Sequence, residues 1–246
     1  MPSLKVVTYN IRLSAGNDGP NSWPFRAKRL CDYVAELDAD IVGIQEALPD
    51  QVEALEKALP GYQRFGVGRE DGKSKGEHCA IYIRASLNTT ASGTFWFSDT
   101  PTVPNSMHWG NRITRITSWV KIDHPAGQIV VTNSHLDHES DESRQKSVLA
   151  LTKFLEPYQL SFLALGDFNM APSNPNLQPL FKLGKDALAQ ADLAGKATFH
   201  GWNFGEGTDQ IDYIFAAPHF ELLDADSPRV PHSDHYPVVA TYRFLG

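Results

Sequence analysis

Asp234 and His235 stand side by side in "VPHSDHYPV", just ahead of the alternating run "PVVATYRF". An acid beside an imidazole can hold or pass a proton; Ser and Asp at a strand start can equally cap a turn. Other polar residues stand in the same relation to apolar runs. Asn10 ends "LKVVTYN", Glu46 ends "IVGIQE", His135 ends "QIVVTNSH", Asp167 ends "SFLALGD" with Asn169 two residues on, and Asp212 lies at the start of "IDYIFA". Buried strands that terminate in carboxylates are costly unless the charge meets a metal or a cation. So many at once argue against separate turn caps.

The elements that must carry these residues read as a mixture of strands and helices. "LKVVTYNI" alternates as a strand that delivers Asn10 to the Gly/Asn loop "RLSAGNDGPNS". Pro24 then opens a helix over residues 24–37, with Ala27, Leu30, Cys31, Val34 and Leu37 on one face. "IVGIQE" follows as a buried strand. A second helix, "PDQVEALEKAL", stops at "PGY", and strand patterns follow in "YQRFGVG", "CAIYIR", "GTFWFS", "RITSWVKI" and "QIVVTNSH". A helix over "DESRQKSVLALTKFL" and the strands "SFLALGD", "IDYIFA" and "PVVATYRF" complete the chain. Mixed sheets covered by helices, an α/β or α+β layered sandwich in one domain over residues 1–246, are the expected architecture.

Of the 246 residues, 41% are hydrophobic and 21% charged, with no run long enough to cross a bilayer. A cytoplasmic monomer without a membrane role is expected, since no secretory pattern precedes the first strand. The net charge of −7 argues against a surface built to hold long nucleic acid through many phosphates, although a locally positive cleft is compatible with it. Cys31 and Cys79 lie in apolar contexts and read as buried free thiols.

The motifs "TYN", "QE", "SHLDH", "GDFN", "IDYIF" and "SDH", in this order, resemble the endonuclease/exonuclease/phosphatase (DNase I-like) superfamily, and in particular its compact bacterial-type members. The resemblance implies a four-layered α/β/β/α sandwich, with two mixed β-sheets face to face, helices outside and a divalent metal site at one edge. Hard oxygen donors suit Mg²⁺ or Mn²⁺, with Glu46 and Asn10 as the primary ligands and Asp234 at a second position. By similarity, Asp167 orients or deprotonates the attacking water, Asn169 holds a phosphate oxygen, and His235 contacts the phosphate while Asp212 fixes its tautomer. His135 donates to the phosphate or the leaving group. Glu77, in "GEHCAIYI", fits the position of a carboxylate that orients this histidine, or is simply solvated. Arg115 is a phosphate contact, with Arg112 an equal candidate.

His138, Asp137 and Arg144 read as capping and ion-pairing residues as readily as substrate contacts. The aromatics Phe95, Trp96 and Phe97, with His108 and Trp109, form either a stacking wall or part of the core. Arg12, two positions after Asn10, and the presence of His135 disfavour abasic-site repair. The leading expectation is a metal-dependent phosphodiesterase or nuclease acting on DNA, RNA or nucleotides. The alternative is a phosphatase or phosphodiesterase for a small phosphorylated metabolite, such as an inositol or sugar phosphate. Replacing Asp167 by Asn or His235 by Ala is expected to abolish turnover with little loss of folding.

Overall fold

Alternation along β1 (Ser3–Asn10) sends Leu4 and Val6 to one side and Val7 and Tyr9 to the other, and both sides are buried. A strand covered on both faces needs a layer above and below it. The structure, a computed structural model describing residues 3–204, 207 and 209–246, supplies both layers. The remaining strands are β2 (Ile41–Ala47), β3 (Tyr62–Phe65), β4 (His78–Arg84), β5 (Asn88–Trp96), β6 (Ile116–His124), β7 (Gly127–His135), β8 (Phe162–Asp167), β9 (Lys185–Asp186), β10 (Asp212–Ala216), β11 (Phe220–Asp226) and β12 (Val238–Phe244). The α-helices are α1 (Trp23–Glu36), α2 (Pro49–Ala58), α3 (Asp141–Leu155), α4 (Gln178–Leu183) and α5 (Ala187–Gln190).

The strands form two six-stranded sheets, ordered β11-β12-β1-β2-β4-β3 and β5-β6-β7-β8-β10-β9. Each holds one parallel pair, β1 with β2 and β7 with β8, joined through α1 and α3 respectively; the other pairings are antiparallel. Leu4, Val6, Ile41 and Ile81 of the first sheet meet Val131, Leu163, Leu165 and Ile214 of the second in one buried core. The outer face of the first sheet packs Val7, Tyr9, Val42 and Ile44 against Leu30, Val34 and Leu55 of α1 and α2. Val148, Leu151 and Leu155 of α3 cover the second sheet. The four-layered sandwich expected from the sequence is therefore the fold.

Local chemistry sets the helix limits. Pro24 lies in the first turn of α1, where a missing N–H costs nothing. The Ser140 hydroxyl caps α3 by accepting from Ser143 N at 3.1 Å, with Asp141 and Glu142 in the first turn. A polar bridge ties the sheets together: Asn133 of β7 donates to the carbonyls of Ile44 and Ala80, both at 2.9 Å, and accepts from Gln45 Nε2 at 2.6 Å. Cys31 and Cys79 are buried free thiols, and no described helix is long and apolar enough to cross a membrane.

β9, β11, α4 and α5 were not legible in the sequence pattern. In β11 the register against β12 shifts between Leu222 and Asp224, leaving Leu223 exposed and breaking the two-residue period that marks a strand. β9, α4 and α5 are too short to establish a period of their own.

Candidate active site

The C-terminal ends of both parallel pairs lie at one edge of the sandwich, and the polar strand-end residues gather there. His135 ends β7 opposite Asp167 on β8, which stands opposite Asp212 on β10. Directly opposed residues share a face, so these three form a row across the second sheet. Gly166, immediately before Asp167, has φ 149°, and a Cβ at this position would lie 2.2 Å from Ser134 O, so only glycine lets β8 reach the row. From the facing sheet, Asn10 Nδ2 donates to Asp167 Oδ2 and to Glu46 Oε1, both at 3.0 Å. Strict alternation would turn Glu46 toward the helices with Val42 and Ile44. A register irregularity between Ile44 and Ala47 and a left-handed backbone at Glu46 (φ 66°) bring it into the site instead. Asn169, at φ 51°, is a second non-glycine residue held left-handed here.

His235 Nδ1 and Asp212 Oδ2 are 2.9 Å apart with both residues buried, leaving Nε2 directed into the pocket, 3.8 Å from Asp167 Oδ2. Burial disfavours charge on His235, but Asp212, then Asp167 and Asp234, outweigh it and lift the imidazole to about 10. Burial, and after it the Asp212 carboxylate, raises Asp167. Asp167 Oδ1 accepts from Asn169 N at 2.9 Å, and Asn169 Nδ2 is anchored on Leu136 O at 3.0 Å. His135 lies with Nε2 3.6 Å from Asp167 Oδ2; burial first, then Arg115 and Arg69, hold it well below the ordinary range and hence neutral. Glu77 does not reach His135 at hydrogen-bond distance: it stands 3.9 Å from Nδ1 and gives both oxygens to Arg69, at 2.7 and 2.6 Å. Glu77 therefore anchors an arginine while lying beside His135 without a direct hydrogen bond.

That arginine, in "VGREDG", belongs to none of the motifs the sequence offers. Arg69, Arg12 and Arg115 all line the pocket beside His135, Asp167, Asn169 and His235. Each is held by a carboxylate: Arg12 by Asp18 through two contacts of 3.0 Å, Arg69 by Glu77, and buried Arg115 by Asp137 at 3.5 Å. Arg115 also contacts His138 Nδ1 at 2.8 Å, which brings His138 to the pocket wall. Arg112 lies outside this pocket. Asp137 caps the next turn, accepting from Glu139 N and Ser140 N at 2.9 and 2.6 Å, and Arg144 donates to its carbonyl. The aromatic run belongs to the framework: Trp96, Phe97 and Trp109 are buried, with Trp96 Nε1 donating to Arg69 O.

Two further residues without a motif support the loop after β1. Fully buried Arg26 donates to the carbonyls of Ile11 and Arg12, both at 2.6 Å, and of His232 at 3.2 Å. Gln51 accepts from Ser14 N and donates to Arg12 O, both at 2.8 Å. The backbone just after Asn10 and just before Asp234 is thereby fixed.

The donor chemistry fits a divalent cation. Glu46, Asp167 and Asp234 line one pocket, and Asp234 is raised first by burial and also by Glu46. Ligand atoms of Asp167, Asp212 and His235 lie within 4.8 Å of one another, a buried grouping consistent with a metal site. Glu46 Oε2 accepts from Leu13 N at 2.9 Å and Asp234 Oδ1 from Ser233 Oγ at 3.2 Å, fixing both carboxylates in place. Asn10 Oδ1 accepts from Arg12 N at 3.0 Å, so its amide also acts as a bridge between Glu46 and Asp167.

Residues 7–235 match the Endonuclease/Exonuclease/phosphatase family. Among solved structures, an endonuclease/exonuclease/phosphatase from Bacteroides vulgatus superposes with a TM-score of 0.91 at 29% identity, over 99% of this chain and 100% of that one. A family protein from Bacteroides thetaiotaomicron is 31% identical (TM-score 0.87, 99% and 98% covered). A mannosyl-6-phosphatase of the same organism is 30% identical, with a TM-score of 0.87 and coverage of 98% and 100%. No curated protein matches the chain.

Proposed function

Since the chain belongs to the Endonuclease/Exonuclease/phosphatase family, we propose that it is a divalent-metal-dependent phosphatase of a small phosphate ester, with a sugar phosphate as the substrate class. The observation that carries this reading is the pocket itself. Its volume is about 350 Å³, in the range of small-molecule sites, and each of its three arginines is held by its own carboxylate. Pinned guanidinium groups make a rigid cradle for one phosphate and leave little uncompensated charge for a polyanionic strand, in keeping with the net charge of −7. The likeness to a mannosyl-6-phosphatase supports the same substrate class. Support therefore moves from the nuclease expectation to its small-metabolite alternative.

In this reading Glu46 and Asp234, with Asn10, hold Mg²⁺ or Mn²⁺. The bound cation supplies positive charge to the phosphate oxygens. Asp167, fixed by Asn10 and by Asn169 N, holds the attacking water and takes its proton. His235, charged and kept in register by Asp212, donates from Nε2 to a phosphate oxygen. Neutral His135 serves as a hydrogen-bonding group, and Arg115 and Asn169 hold further oxygens. As the bond from phosphorus to the water oxygen forms, the bond to the substrate oxygen breaks; the departing oxygen takes a proton from solvent, to which Asp167 returns the one it took, so that an alcohol and inorganic phosphate are released.

The test is phosphate release from a panel of sugar and inositol phosphates with Mg²⁺, against EDTA. Metal-dependent release from at least one member is expected. Release from none, together with cleavage of a phosphodiester such as bis(p-nitrophenyl) phosphate or an oligonucleotide, would remove the phosphatase reading.

A further inference from the structure

Arg112 and Arg115 are equivalent in the sequence and separate in the structure. Arg115 is buried in the wall of the phosphate pocket, whereas Arg112 is exposed and makes no ion pair among the described residues. It lines a second hollow of about 220 Å³, which shares Arg69 and Ile113 with the phosphate pocket. The two spaces thus meet along one wall. Asn105 and Glu70 contribute polar groups to the second space, and Met107 and Ile113 apolar surface. Asn105 Oδ1 accepts from Thr114 Oγ1 at 2.7 Å, which leaves the amide N–H groups available as donors. Glu70 meets Lys75 through Oε2 at 3.2 Å and keeps its other oxygen as an acceptor.

We infer that this second hollow receives the leaving-group half of the substrate, a polyhydroxylated ring, with Arg112 as a specificity-determining contact. The inference rests on the phosphatase reading of the adjoining pocket. Its chemistry follows from the mixture of groups. Hydroxyls both donate and accept, so they can use Arg112, Asn105 and Glu70 together, while Met107 and Ile113 meet the C–H face of a ring. A second phosphate would use the donors but face the Glu70 carboxylate. A bare aryl or alkyl group would offer no partner to Arg112, the Asn105 amide N–H groups or the second Glu70 oxygen.

The experiment compares kcat/KM for mannose 6-phosphate and glucose 6-phosphate with that for phenyl phosphate, in the wild type and in Arg112→Ala. Loss of one charge-assisted hydrogen bond should lower the ratio of sugar phosphate to phenyl phosphate about tenfold. An unchanged ratio in Arg112→Ala overturns the inference and leaves the phosphatase reading standing. A preference for fructose 1,6-bisphosphate that Arg112→Ala abolishes overturns it in favour of a second anion. A wild type that hydrolyses no phosphate monoester removes both the inference and its premise.

Discussion

Replacing Asp212 by Asn tests how the charge on His235 is made. Asp212 is buried, bonds His235 Nδ1 at 2.9 Å and lies behind the imidazole relative to the pocket, so the replacement changes the imidazole without touching substrate. His235 is lifted from 6.5 to about 10 against the cost of burial. At 1.36 kcal/mol per tenfold change, this is about 5 kcal/mol in favour of the imidazolium, shared among Asp212, Asp167 and Asp234. Asn can still accept from Nδ1 but carries no charge; losing even half of that preference lets His235 deprotonate near pH 8. Because the charged form is the one that donates to phosphate, activity is lost as pH rises through the folded value. The alkaline limb of kcat/KM for phenyl phosphate with saturating Mg²⁺ should therefore move to lower pH in the variant. Near pH 8.5 only about a quarter of the imidazole would then stay charged, so kcat/KM should fall about fourfold, and further as pH rises. A variant with the wild-type alkaline limb and rate would refute the dyad.

His235→Ala leaves buried Asp212 without its partner and should cost about 3–5 kcal/mol, contrary to the small folding loss expected from the sequence. Since the folded value of His235 lies above the unfolded one, its stabilisation is complete below pH 6.5 and lost toward about 10; urea midpoints in EDTA should show the largest gap between wild type and variant near pH 6, narrowing with rising pH. Glu46→Gln removes a charge from the proposed cation site and should raise the Mg²⁺ concentration needed for half-maximal activity at least tenfold; an unchanged titration would place the metal elsewhere. Asn133→Ala deletes the polar bridge between the sheets and should destabilise by about 2–4 kcal/mol in urea unfolding, while a loss under 0.5 kcal/mol would show the bridge to be idle.

The strand ends were legible because carboxylates and imidazoles closing apolar runs are rare and costly. Asn10, His135, Asp167 and Asp212 meet as that pattern required. Other features follow from long-range geometry that local sequence does not encode. Glu46 was also legible as a strand-end carboxylate, but the bulge and left-handed backbone that turn it into the site were not. Arg69 acquires its place by meeting Glu77 across a turn that reads as solvated. Arg26 stands in no motif, and its burial follows from carbonyls supplied by residues 11, 12, 21 and 232. β11 is hidden by its own bulge at Leu223.

The most direct test places mannose 6-phosphate and supercoiled plasmid in parallel with the same protein and Mg²⁺, with EDTA and Asp167→Asn as controls. A small-ester phosphatase releases inorganic phosphate in a reaction that needs both the metal and Asp167, and leaves the plasmid supercoiled. Nicking that depends on the metal and on Asp167, with no phosphate released from the sugar, is the result that contradicts it.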